Sequence, residues 1–180
     1  IHTHKVEDLA KTASILSAWG VKPTGVVSGM LIEDFDALHQ PMTYQGYSWT
    51  PTVIWGGVQC PGHREGCDDL TVSIYRPASS ADFYVDDPNG NLTKVGGGAH
   101  TLEDAETLAA TIAGGQYNNP VIGYTIMVEP ETLRIARSAT DDVNVILAFA
   151  ARMNAYSFVR WETIATTAQA WVQAGSVAFV

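Results

Sequence analysis

Apolar residues repeat along this chain with two periods, and the switching between them predicts its elements. Val6, Leu9, Ala10, Ala13, Leu16 and Ala18 approximate one face of a helix over 6–19, and Gly20 supplies its stop. Residues 21–29 then read as a short apolar strand closed by glycine, and 30–38 as a short acidic helix or a loop. The stretch 39–50 carries Tyr44, Tyr47 and Trp49 without a helical period, which predicts an ordered surface loop. Strands follow at 52–55 and 70–75, separated by a loop that holds both cysteines. Segments 83–85 and 92–95 flank Asn89-Gly90, a pair suited to the positive φ values of a tight turn, and so predict a β-hairpin.

The second half alternates more regularly. Thr101 is a fitting N-cap for a helix to about 113, and 121–128 reads as a buried strand. Glu129-Pro130 opens a further helix, because proline suits a first turn. Thr140-Asp141 begins another, with Val145, Ile146, Phe149 and Met153 as its buried set. A strand at 158–161, a helix at 163–173 stopped by Gly175, and a strand at 176–180 complete the pattern. Strand and helix alternate at both ends around a β-rich middle. The expected fold is α/β with a mostly parallel sheet: a single domain over 1–180, built as an irregular or incomplete (β/α) barrel with a β-hairpin insertion. An opening at Ile1 and an end inside the last predicted strand imply a domain truncated at both ends.

Composition narrows the function classes. Hydrophobic residues make up 46% and charged residues 16%, values of a packed domain and not of a disordered tail. Ten Lys+Arg against nineteen Asp+Glu give a formal charge of −9, without the basic stripe that a nucleic-acid partner requires. No apolar run approaches the ~20 residues of a membrane span. Neither nucleic acid nor membrane is an expected partner.

In α/β sheets and barrels, ligands bind beyond the carboxyl ends of the strands. The predicted strand ends collect most of the histidines. His2 and His4 close the first strand, and residues two apart in an extended segment project to the same side. The loop after 52–55 holds His63, strand 70–75 ends at Arg76, and the glycines at 96–98 lead to His100. Strands 121–128 and 158–161 deliver Glu129 and Glu162. Neutral imidazoles and carboxylates are the donors a zinc-type divalent ion takes. His2, His4 and His63 are therefore the expected metal ligands, with His100 as an alternative third. Arg76, His100 and Glu162 are the expected catalytic groups.

Each residue also has a plain structural role to set beside that one. Glu129 and Glu162 begin helices, where the macrodipole favours a carboxylate. His100 suits a turn, Arg76 could pin a loop carboxylate, and His39 fits the surface. Cys60 and Cys67 admit a disulfide, two free thiols, or a zinc site with His63. The disulfide would fit an exported or periplasmic protein. Tyr44, Tyr47, Trp49 and Tyr117 are expected in loops, and exposed aromatics beside a polar cleft stack sugar rings.

Several of these residues resemble the polysaccharide deacetylase (NodB-like) group of carbohydrate esterases. Gly20-Val21-Lys22-Pro23-Thr24-Gly25-Val26-Val27-Ser28-Gly29 is similar to that family's second strand, and Tyr75-Arg76-Pro77 to the arginine–proline motif that orients its base. Gly62-His63 resembles part of its histidine motif. The metal motif is altered: His2 and His4 stand where the family has an aspartate pair, and Cys67 stands where it has a second histidine. The resemblance spans roughly residues 1–80. It implies a divalent-metal-dependent hydrolase of a carbohydrate substrate, removing acetyl groups from N-acetylated sugars, with Glu162 as base and His100 as acid. His-x-His after a first strand also resembles the start of amidohydrolase- and PHP-like barrels. A catalytically silent carbohydrate-binding domain is the third reading.

Overall fold

A computed structural model of the chain describes residues 1–3, 6–28, 35–55, 74–83, 85–96, 102–116, 120–124 and 139–176. They carry β1 (His2–Thr3), α1 (Glu7–Ala18), β2 (Gly25–Ser28), α2 (Phe35–Leu38), β3 (Met42–Tyr44), β4 (Tyr47–Trp49), β5 (Val53–Trp55), β6 (Ile74–Tyr75), β7 (Thr93–Val95), α3 (Leu102–Ala113), α4 (Ala139–Met153) and α5 (Ile164–Gln173). The chain divides into two compact units. The first comprises Ile1–Gly98, Asn119–Thr125 and Glu162–Val180, and the second Ala99–Asn118 and Ile126–Trp161.

The first unit is a five-stranded sheet in the order β1-β2-β5-β7-β6. The pairs β1–β2, β2–β5 and β5–β7 are parallel, and β6 runs antiparallel to β7. Val26, Ile54, Lys94 and Tyr75 share one register row across four strands. That row faces a core in which Leu9 and Ala13 of α1 meet Val26, Ile54, Phe35, Phe83 and Leu92. On the other face Ala168 and Trp171 of α5 pack against Val53, Ile74 and Val95. Both faces are covered, so β5 and β7 are buried at every position and show no alternation. The close approach of β2 to β5 fixes a glycine at 25: a Cβ there would lie 2.3 Å from Val53 Cγ2 and 2.4 Å from the Val53 carbonyl oxygen. Among the described residues the sheet is open, with β1 and β6 at its edges.

The helices end as their sequences direct. Gly20 sits at φ 79°, its N–H donates to the Ser17 carbonyl, and the Val21 N–H reaches back to the Leu16 carbonyl at 2.9 Å. Those two bonds make a Schellman termination, which satisfies carbonyls that a helix end leaves bare. Thr163 caps α5, its hydroxyl accepting from the Thr166 N–H at 3.1 Å. In the second unit α3 packs on α4, and Arg152 pairs with Glu106 at 2.6 Å on the surface, a contact worth little by itself.

Four local expectations give way to other structures. Residues 42–49 form an antiparallel hairpin instead of a loop. Gln45 (φ 48°) and Gly46 (φ 81°) supply the two positive-φ positions of a tight turn, and Met42 lies opposite Trp49. The predicted hairpin around 86–91 keeps its turn, with the Gly90 N–H donating to the Asp87 carbonyl, but 83–85 is not its partner strand. β7 pairs with β6 instead, while Phe83 turns inward against Phe35 and Tyr75. Residues 121–124 pack without strand pairing, and 158–161 continue the turns that follow α4. The expected helix opened by Glu129-Pro130 lies outside the described residues, and so does the expected strand at 176–180 beyond Ser176.

Candidate functional site

The four parallel strands all end at one edge of the sheet, at Thr3, Ser28, Trp55 and Val95. This is the carboxyl edge, where the loops of an α/β sheet assemble a ligand site. The chain leaves β1 toward His4, β5 toward the segment with Cys60, His63 and Cys67, and β7 toward His100. His2 lies within β1, in register with Val27. His4, His63, His100, both cysteines, Tyr117 and Glu129 lie outside the described residues, and so does the choice among disulfide, thiols and zinc. Among the described residues, no three His, Cys, Asp or Glu side chains are grouped to hold a metal ion.

Arg76 falls at the opposite edge. The sequence predicts a strand that presents Arg76 at its carboxyl end, and β6 does so. But β6 is antiparallel to its neighbour, with Ile74 opposite Val95 and Tyr75 opposite Lys94. Arg76 is therefore carried to the amino edge of the parallel strands. Its guanidinium carbon lies 4.7 Å from the centre of the Trp171 ring, a cation–π stack. Its Nη2 donates to the Ser176 hydroxyl at 3.3 Å, and its backbone N–H donates to Asp86 Oδ1 at 2.9 Å. These contacts tie the end of α5 to the end of β6. Glu162 is exposed and directly precedes the capping Thr163.

Two ionisable groups stand out that the sequence does not announce. Lys94 is 0% exposed in the middle of β7, with its ammonium 5.3 Å from the centre of the Tyr75 ring. A cation is seldom placed in a sheet core, because desolvating it is costly without compensating interactions. The only sequence signal is one lysine inside a short run, Leu92-Thr93-Lys94-Val95. His39, expected on the surface, is half-buried. Its Nδ1 lies 3.0 Å from Asn91 Oδ1, and its ring meets Phe35 edge-on at 4.7 Å. Beside it, hydrogen bonding by Ser80 holds the Asp36 carboxyl below the ordinary carboxylate range, the Ser80 amide donating to Oδ1 at 2.7 Å. Asp36 and His39 thus fasten α2 to the segment that leads into β7.

The aromatic residues are redistributed as well. Trp49 is 8% exposed, its indole N–H bonded to the Pro23 carbonyl at 2.9 Å, and Tyr47 packs against the same core. Among the described residues, the exposed large aromatics are Trp19 (75%), Trp161 (58%) and Phe158 (42%). Comparison with known proteins returned no match, whether to protein-family models, to curated proteins or to solved structures.

Proposed function

We propose that this chain is a metal-dependent hydrolase of carbohydrate substrates, a deacetylase of N-acetylated sugars in an α/β frame of the barrel type. The observation that supports it is the common edge at which β1, β5 and β7 end, since each is followed in the chain by a histidine-bearing segment. His2, His4 and His63 would hold the ion. All three fall in the first unit, and three imidazoles suit a zinc-type metal by the chemistry of the donors. Such an ion, when bound, supplies Lewis acidity at an amide carbonyl and acidifies water. Glu162 would act as base, its carboxylate being exposed at the start of α5. Arg76 is given no role at this site, because its guanidinium is engaged by Trp171 and Ser176 at the opposite edge of the sheet.

The test is metal content together with acetate release. Purified chain should retain a divalent ion near stoichiometry, and His4→Ala and His63→Ala should lose it. The wild type should release acetate from N-acetylglucosamine oligomers, and both variants should not. Metal content unchanged by either substitution sinks the ligand assignment. Hydrolysis of cyclic amides or phosphoesters in place of acetate release would move the chain to the amidohydrolase- or PHP-like class.

A further inference from the structure

We propose that the segment from Asn154 to Trp161, between α4 and α5, is a sugar-stacking subsite. The segment opens with local backbone bonds, from the Asn154 N–H to the Ala150 carbonyl (2.9 Å) and the Tyr156 N–H to the Met153 carbonyl (3.1 Å). The Val159 N–H then bonds to the Tyr156 carbonyl (3.1 Å), so the backbone is fixed in a series of turns. The Trp161 ring is fixed as well. The Trp161 indole N–H donates to Asn154 Oδ1 at 2.7 Å, and the ring meets Phe149, itself buried, edge-on at 6.2 Å. Phe158 lies 5.3 Å from Tyr156, centre to centre. Trp161 remains 58% exposed and Phe158 42% exposed in spite of those contacts.

An apolar ring held rigid yet left in water is a preorganised contact surface, because little conformational freedom is lost when a ligand covers it. The surrounding groups select the occupant. Asn154 spends its carbonyl oxygen on Trp161, which leaves its amide N–H groups to donate outward. Arg160 Nη1 donates to the Ser157 and Val159 carbonyls at 2.8 Å each, which positions the guanidinium and leaves its other nitrogens as donors. A pyranose offers this complement, with C–H faces for the rings and hydroxyl and carbonyl acceptors for the donors. The inference rests on the carbohydrate reading above and names where an oligomer is gripped.

The probe is the N-acetylglucosamine tetramer, titrated into the full chain by calorimetry. Trp161→Ala and Phe158→Ala should each weaken binding on the order of tenfold, as loss of an aromatic anchor does. Trp19→Ala, which removes the most exposed tryptophan, one that belongs to the other unit, should leave the affinity unchanged. Circular dichroism of each variant establishes that α4 and α5 persist. The proposal is overturned if folded Trp161→Ala binds as tightly as wild type, or if the wild type does not bind the tetramer. It is equally overturned if these rings prove to be a protein interface, seen as concentration-dependent self-association abolished by Trp161→Ala. Failure of the hydrolase reading is separately visible: acetate release is absent while Trp161-dependent affinity persists.

Discussion

Residues 42–49 and 154–161 are the two short aromatic stretches of this chain, and they meet opposite fates. The first places Met42, Tyr44, Tyr47 and Trp49 around a two-residue turn, and Trp49 ends in the core beside α1. The second follows α4 without strand pairing and leaves Trp161 and Phe158 in water. Both tryptophans satisfy their indole N–H, through the Pro23 carbonyl and Asn154 Oδ1 respectively, so the polar end of the ring does not separate them. What separates them is a partner surface. The hairpin alternates with period two and has a helix face to cover, whereas the second stretch is wound into turns. Aromatic composition alone therefore marks neither core nor ligand surface.

Truncation is the strongest way to break that comparison. Trp49→Ala should cost about 3–5 kcal/mol of unfolding free energy, the range for emptying a buried aromatic site. Trp161→Ala should cost about 1 kcal/mol, for one surface hydrogen bond and a partial ring contact. Denaturant titration of both variants measures the gap, and equal losses would show that the two rings are not in different environments. The turn gives the next effect. Gly46→Ala forces a side chain onto a residue at φ 81°, at a cost of about 1–2 kcal/mol. Nothing lies within 4 Å of the added Cβ, so the loss reports backbone strain rather than a clash.

Helices α1, α4 and α5 were legible because their stripes are long. Leu9, Ala10 and Ala13 in α1, Phe149 and Met153 in α4, and Ala168 and Trp171 in α5 are buried at helical spacing. Strands were legible as apolar runs but not as directions. Leu70 to Tyr75 announces a strand, yet nothing in those residues says that β6 runs against β7, and that reversal carries Arg76 to the far edge. A run buried on both faces also hides its exceptions: Lys94 occupies a core position without disturbing the pattern around it. At 158–161 the residues suit a strand, but among the described residues no neighbouring strand pairs with them. The candidate metal ligands were legible only as positions relative to strand ends, since a histidine's partners are set by loops whose course periodicity does not encode.

The smallest expected effect concerns the core in which Trp49 lies. That core includes Phe35 of α2 and Phe83, and Asp36 fastens α2 to Ser80. An aspartate in an unfolded chain titrates near about 3.9, and Asp36 in the folded chain titrates lower. Folding therefore favours the ionised form. Its contribution to stability is complete above the unfolded value and is lost as pH falls through the folded one. The carboxyl is exposed, so solvent screening keeps the contribution small. Asp36→Asn should flatten the acid limb of the stability–pH curve below roughly pH 4 and leave the curve above pH 6 nearly parallel to wild type. Indole N–H resonances localise the effect. On acidification the Trp49 signal should shift earlier in wild type than the Trp161 signal, because only Trp49 shares a core with α2. Trp161 moving first, or an acid limb unchanged in Asp36→Asn, would show that the Asp36–Ser80 contact does not hold α2 in place.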